Sequence, residues 1–506
     1  MFGAHSSSLK VSLGWAVLLS LPLVWLGWLI YAQCGGMFYT LDDPYIHLAL
    51  AKQLNLGHYG LNPGEVDAPS SSILWPFLLA PWARLPHFDW LPLVINTLAC
   101  GGTALLLFRY FSRFWKWWWS AILSLALLYL LNIYGLVFTG LEHSLQVFLV
   151  VWLVTLWDRD QPPPLFYWLA VLLPLVRYED GAITLPLLAY AFWRGQRKAS
   201  LVSLGASVAL LGAFSLFLLA LGLDYLPASI MVKSVLGQGH PLGGMGLNAL
   251  ANLFALWPYW VLLLGATIFL LVRRRAEEVF FLLLGPALLY LAGGRYGWFG
   301  RYEVFFLMYG FLMVGRFLEQ ERLPKGQAVW AVLMVMVLLW FFPVLRICTM
   351  LTPAAARNIH DQQYQMSLLN RDFLKSPVAV NDLGWMAYNS GQYVLDLWGL
   401  GSREALNYRR TARDGAWMGQ LMAAHGVRYA FIYDNWFPRR PSSWIKVGVL
   451  LLPPPRITPA SSVVSLYGVD GASAAALRAA IIRFQASGEP GSALVRLVPG
   501  AGAPAF

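Results

Sequence analysis

Cysteine and charge are both scarce in this chain. Three cysteines in 506 residues, Cys34, Cys100 and Cys348, have no metal-ligand spacing and cannot build a disulfide framework, so they leave the redox compartment undetermined. Only 12% of residues are charged, against 58% hydrophobic and 15% aromatic at a mean hydropathy of +0.58, which excludes a chain solvated by water alone. No Gly-rich phosphate loop follows a strand-like run, which removes the usual nucleotide-binding reading. No internal repeat is visible, which argues against a transporter or flippase built from two related halves. Acids are outnumbered by bases, for a net charge of +11. That excess needs no nucleic-acid partner, because the orientation of a membrane protein explains it.

What the chain has is apolar length. The first run, about Val11 to Ala32, is long enough to span a core of roughly 30 Å and too long for a cleaved signal, so it reads as a retained anchor. Further runs near 90–108, 117–138, 143–157, 164–176, 181–193, 199–222, 248–272, 278–292, 303–317 and 327–345 predict about eleven transmembrane helices, several of them short. With the N-terminus in the cytoplasm, 14 of the 20 Lys and Arg before Arg346 fall on the cytoplasmic side, including Arg109, Arg194 and Arg273 to Arg275. That bias fixes the orientation. The exceptions are Lys52, Arg84, Arg177, Lys233, Arg295 and Arg301.

The expected fold is therefore an α-helical polytopic membrane protein. A membrane domain over 1–350, with an outer loop at 34–89, precedes a soluble extracytoplasmic domain over 351–506. In that last part the β-rich runs 376–384, 393–400 and 427–434 alternate with helical stretches near 361–374, 415–425 and 472–486, predicting a small α/β layer. Its Asp382 and Asp396 fall at strand ends, where turn roles are favoured.

Threading the chain this way gathers the unusual residues on the outer side. They are Asp42 and Asp43 in D-D-P-Y-I, Glu142 and His143 in T-G-L-E-H, Arg177 to Asp180 in R-Y-E-D, and Gly293 to Glu303 with Arg295, Trp298, Arg301 and Tyr302. Singly, each reads as readily as a headgroup contact or helix cap as it does as part of a site. Four such loops on one face predict a site for a substrate that carries phosphate and a hydroxyl to be activated. Pro44 predicts an interfacial helix starting at Asp42 or Asp43, one of them its cap. A Gly-, Pro- and Ser-rich loop follows, and Ile73 to Trp82 is too short to cross. Asp224 to Gly246, with Lys233, reads as a lid or as a plain flexible connection.

The segments D-D-P-Y-I, P-G (63–64) with S-S-S-I-L-W (70–75), T-G-L-E, R-Y-E and G-R-Y (300–302) stand in the order found in the GT-C superfamily. The chain resembles its bacterial arabinofuranosyltransferase-like subgroup, membrane glycosyltransferases that use polyprenyl-phosphate-linked sugars. Tyr178 and Ile73 stand where that pattern has proline, so the resemblance names no sugar. It implies that Asp42 or Asp43 is the base on the acceptor hydroxyl or helps to hold a divalent cation (Mg2+, Mn2+ or Ca2+), a cofactor used by only part of the superfamily. It also implies that Arg177 and Arg301, with Arg295 nearby, contact the donor phosphate. Tyr45, Glu142, His143, Glu179, Asp180, Trp298 and Tyr302 complete the expected substrate site, Trp298 by stacking on a sugar. The implied partners are a polyprenyl-phosphate sugar, a glycan, lipid or protein acceptor, and the bacterial cytoplasmic membrane. The alternatives are a flippase of lipid-linked sugars and a nonenzymatic envelope scaffold.

Overall fold

The computed structural model describes residues 9–113, 115–157, 160–233, 241–320, 347–412 and 414–498. Helices dominate. Four are long and apolar enough to cross a membrane: Leu9–Cys34 (α1), Phe88–Phe111, Arg197–Ala220 and Ala276–Gly293. A fifth arises if Gly246–Ala255 and Trp257–Val272, bent by 88° at their junction, are one broken span. Trp117–Leu130, His143–Thr155, Pro164–Val176 and Val304–Phe317 are apolar but shorter. The expected span at 327–345 and residues 234–240 of the Asp224 to Gly246 segment lie outside the described residues. Val17, Val24, Trp25 and Trp28 on α1 are exposed, as are Leu216 and Val272 elsewhere, so the bundle presents apolar side chains outward.

The two ends of the bundle differ in chemistry. At one end Arg194 bonds Asp160, Arg316 bonds the Trp157 carbonyl, and Arg275 pairs with Glu278 beside Phe317. Trp15 of α1 stacks on Trp117 next to Lys116 at this basic end. Arg177, Arg301 and the two aspartates sit at the other end, where the C-terminal domain docks.

Asp43–Asn55 (α2) begins with Pro44 in its first turn, where the missing N–H costs nothing. Its burial corrects the expectation of an interfacial helix, because Pro44 to Ala51 are all buried. Tyr45, Leu48 and Ala51 enter the core of the helical bundle, whereas Ile46, Ala49 and Leu50 enter the core of the C-terminal domain. Apolar positions on both faces make α2 a wedge between two hydrophobic bodies. Gly140, at φ +67, lets the T-G-L-E turn pass over this wedge, since a Cβ there would lie 2.7 Å from the Tyr39 ring and 2.8 Å from Pro44.

The C-terminal domain carries a six-stranded mixed sheet in the order β2-β1-β3-β5-β4-β6. β1 (Val378–Val380), β2 (Val394–Asp396) and β3 (Tyr429–Ile432) lie within the runs expected from sequence and pair in parallel. The sequence reading passes over β4 (Ile445–Leu451), β5 (Val463–Gly468) and β6 (Val495–Leu497), which extend the sheet antiparallel. β2 ends the strand order, and its outer edge is covered by the outer loop. The Asn62 amide both donates to the Val394 carbonyl (3.0 Å) and accepts from the Val394 N–H (3.0 Å), standing in for a neighbouring strand.

The two domains meet closely at Gly384. It begins the short helix Gly384–Asn389, and a Cβ on it would fall 2.1 Å from the Asp42 carbonyl oxygen. Gly384→Ala is expected to weaken docking by about 1–3 kcal/mol through overpacking. Faster hydrogen exchange across 384–389, with the sheet still protected, is the expected readout. Unchanged exchange there would mean that the backbone yields freely.

Candidate functional site

The three consecutive serines divide the work of one turn. Ser70 Oγ donates to the Ser72 carbonyl (2.6 Å), and Ser72 Oγ accepts from the Trp75 N–H (3.1 Å) in the first turn of the Leu74–Leu79 helix. Ser71 is left to accept from Arg177 Nη1 (3.1 Å). Arg177 sits in extended backbone where the Pro164–Val176 helix ends, which turns its side chain into the end of the bundle. Its Nη1 meets Glu142 at 2.7 Å, and its Nε and Nη2 hold Glu179 in a fork at 3.2 and 2.7 Å. Burial pushes the Glu142 acid up, but the Arg177 charge outweighs it and holds the group at about 2. Two carboxylates thus neutralise the guanidinium before any substrate arrives.

Arg301 is different. It is only 4% exposed, and Nη2 donates to Asp43 (2.7 Å) and to the Tyr302 hydroxyl (2.9 Å). Its Nε and Nη1 are buried with no hydrogen-bond partner among the described residues. Two unmatched donors on a buried cation are costly and call for an anion. The loop that delivers Arg301 is itself strained, with Gly297, Trp298, Phe299 and Gly300 all at left-handed φ of 50° to 83°. Asn132 Nδ2 on the Phe299 carbonyl (2.8 Å) and Glu303 on the Gly297 N–H (3.0 Å) hold the turn. The Tyr302 ring lies between the two guanidinium groups, 5.7 Å from Arg177 and 4.8 Å from Arg301. The His143 ring meets it edge-on at 6.0 Å. Neighbouring Glu142 and His143 do face different partners: His143 Nδ1 meets Gln146 Oε1 at 3.1 Å, and Gln146 Nε2 donates to Asp180 at 2.9 Å.

The adjacent aspartates divide as well. Asp43 bonds Arg301, whereas Asp42 turns to the C-terminal domain and accepts from the Gly384 N–H (2.6 Å) and the Trp385 N–H (2.9 Å). No aspartate side chain caps α2. Asp42 instead caps a helix 342 residues away in sequence, because both of its oxygens are drawn to two backbone donors with no closer acceptor. Burial and the Asp382 carboxylate together push the Asp42 acid up to about 8. A folded-state value above the 3.8 of a free aspartate favours the docked form at low pH. That contribution shrinks as pH rises through about 8. Amide protection at Gly384 and Trp385 is therefore expected to fall between about pH 5 and pH 8. Flat protection, after correction for intrinsic exchange, would contradict it.

Beside Arg177 and Tyr302 opens a cavity of about 420 Å³. Ser71, Glu179, Arg295, Asn248 and Ser229 supply its polar lining, and Leu185, Ile230, Leu289 and Ala292 its apolar wall. Leu185 and Leu289 are also 46% and 44% exposed, so this wall continues onto the outer surface of the bundle. The structure thus brings together Arg177, Glu179, Arg295 and Tyr302 at the cavity, with Glu142, His143, Asp180, Arg301 and Asp43 bonded to or packed around them. Two expected substrate contacts are corrected. Tyr45 is 1% exposed and packed 4.0 Å from Trp385, an anchor of the domain interface. Trp298 is 53% exposed and outside the cavity lining, because the left-handed turn throws it outward. Ser71, Gln146, Ser229, Asn248 and Tyr290 were not anticipated. Only Ser71 carried a signal, as the serine left over once Ser70 and Ser72 are assigned to the turn.

Both Asp42 oxygens are taken by amides and Asp43 by a guanidinium, and among the described residues no three His, Cys, Asp or Glu side chains group as metal ligands. In comparisons with known proteins, residues 357–467 match a family described as a domain of unknown function (DUF8728). This covers β1 to β5 except the last residue of β5, Gly468, and includes Asp382, Gln363 and Tyr433. No curated protein matches the chain.

Proposed function

We propose that the chain is an inverting membrane glycosyltransferase that moves a sugar from a polyprenyl-phosphate donor to an acceptor outside the cytoplasm. The observation that carries this reading is Arg301, a buried cation tied to one carboxylate and left with two unmatched donors. A donor phosphate supplies the anion that those donors lack. The neighbouring cavity suits the rest of such a lipid, with Arg295 and Ser229 near the polar head and Leu185 and Leu289 along the first isoprene units.

In this reading the acceptor oxygen attacks the anomeric carbon as the bond to phosphate breaks. The bonding pair leaves on the phosphate, which Arg301 stabilises, and the acceptor proton passes to Asp43. A single displacement inverts the anomeric centre. Arg177, already neutralised, acts by orienting Tyr302 and Glu179 rather than as the main phosphate ligand. The four shorter apolar helices and Gly181–Trp193 then add to the longer ones, and with the apolar run expected from sequence at 327–345 they make about eleven crossings. The basic end faces the cytoplasm of a bacterial cell, and the C-terminal domain lies outside.

Purified protein given a radiolabelled polyprenyl-phosphate sugar and a panel of glycan, lipid and peptide acceptors tests the proposal. Labelled product of inverted configuration supports it. Movement of intact donor across a vesicle membrane without transfer would favour the flippase, and neither activity would favour the scaffold.

A further inference from the structure

Asp382 holds the position that local sequence explains least. It follows β1 by two residues and precedes by two the Gly384 N–H that binds Asp42, so a carboxylate of the C-terminal domain stands beside the Asp42–Asp43 pair. Its Oδ2 is fixed by the Tyr433 hydroxyl (2.5 Å) and by Gln363 Nε2 (2.8 Å). Asp396, by contrast, accepts from the Trp398, Leu400 and Gly401 amides and is fully used in a turn. A third carboxylate that repels Asp42 and Asp43 is unfavourable without hydrogen donors to share.

A second observation points to what is missing. Gln363 is almost wholly buried, and with its amide nitrogen committed to Asp382, its Oε1 has no donor among the described residues. This buried oxygen needs a donor, whereas the Arg301 Nε and Nη1 need an acceptor. The two sides therefore complement two different parts of the substrates. Hydroxyl groups satisfy the first, and phosphate the second.

Resting on the transferase reading, we propose that Asp382 and Gln363 form the acceptor-binding side of the site. The C-terminal domain thereby completes the active site, holding an acceptor hydroxyl next to the one that Asp43 deprotonates. The ligand class is a polyol, with at least one O–H beside the attacking one.

The test is saturation-transfer NMR of the full chain in lipid nanodiscs with a panel of octyl pentosides and hexosides, without donor. Binding of at least one glycoside is expected in the wild type. It should weaken about tenfold in Asp382→Asn, the effect of losing one hydrogen bond to a charged group. Tyr433→Phe, which frees the carboxylate but keeps its charge, should fall between the two. Polyprenyl phosphate binding should match wild type in both variants. Equal glycoside binding in wild type and Asp382→Asn, or none in wild type, overturns the proposal. Glycoside binding that depends on Asp382 in a protein that transfers no sugar would leave this site standing and count against the transferase reading alone.

Discussion

Asp43→Asn is expected to lower the transfer rate by about 10²–10⁴-fold, the range for loss of a general base, while donor binding changes little. Asparagine keeps an oxygen for Arg301, so the guanidinium stays in place and the loss isolates the proton acceptor. The neighbouring Asp42→Asn is expected to behave differently. One of its two bonds to Gly384 and Trp385 is lost, and docking of the C-terminal domain loosens. Its rate loss should track domain exchange and recover as temperature is lowered, whereas that of Asp43→Asn should not. If the two variants swap these signatures, the division of labour between the adjacent carboxylates is wrong.

The second large effect is on stability. Glu142→Leu removes one of the two carboxylates that neutralise Arg177, and Arg177 is only 5% exposed. Breaking a buried pair from one side costs about 3–5 kcal/mol, because the remaining charge is left uncompensated. Glu179 still holds the other edge of the guanidinium, so the expected loss lies at the lower end of that range. The double variant Glu142→Leu with Arg177→Met should regain part of it. Thermal unfolding of the three proteins in the same nanodisc measures this. A single variant within about 1 kcal/mol of wild type would mean that water already reaches the pair.

Much of this site was legible in sequence because its parts sit at the ends of apolar runs, where an ionisable residue is conspicuous. Arg177, Arg301, Glu142 and the aspartates are all of this kind. What sequence does not encode is the partner. Nothing near Asp42 announces that its acceptors belong to amides at Gly384 and Trp385, and nothing in D-P-Y-I distinguishes a lipid-facing helix from one buried on both faces. Tyr45 looked like a ligand contact for the same reason. Trp298 was misplaced because four successive left-handed residues reverse the direction in which an extended or helical segment would point it. β1 to β3 were readable as short β-branched or aromatic runs between helices. β4 and β5, in I-K-V-G-V-L-L and V-V-S-L-Y-G, carry as clear a pattern. The strand–helix alternation that makes the first three strands legible stops there, and the chain returns antiparallel.

The central claim is that lipid-linked phosphate binds at the Arg301 end of the bundle, and photo-crosslinking addresses it most directly. A polyprenyl phosphate with a diazirine in its first isoprene unit is expected to label peptides containing Leu185 and Leu289, with labelling lost in Arg301→Ala. Label concentrated instead in the apolar groove at the opposite end, along Trp15, Trp25 and Trp118, and indifferent to Arg301, would contradict it.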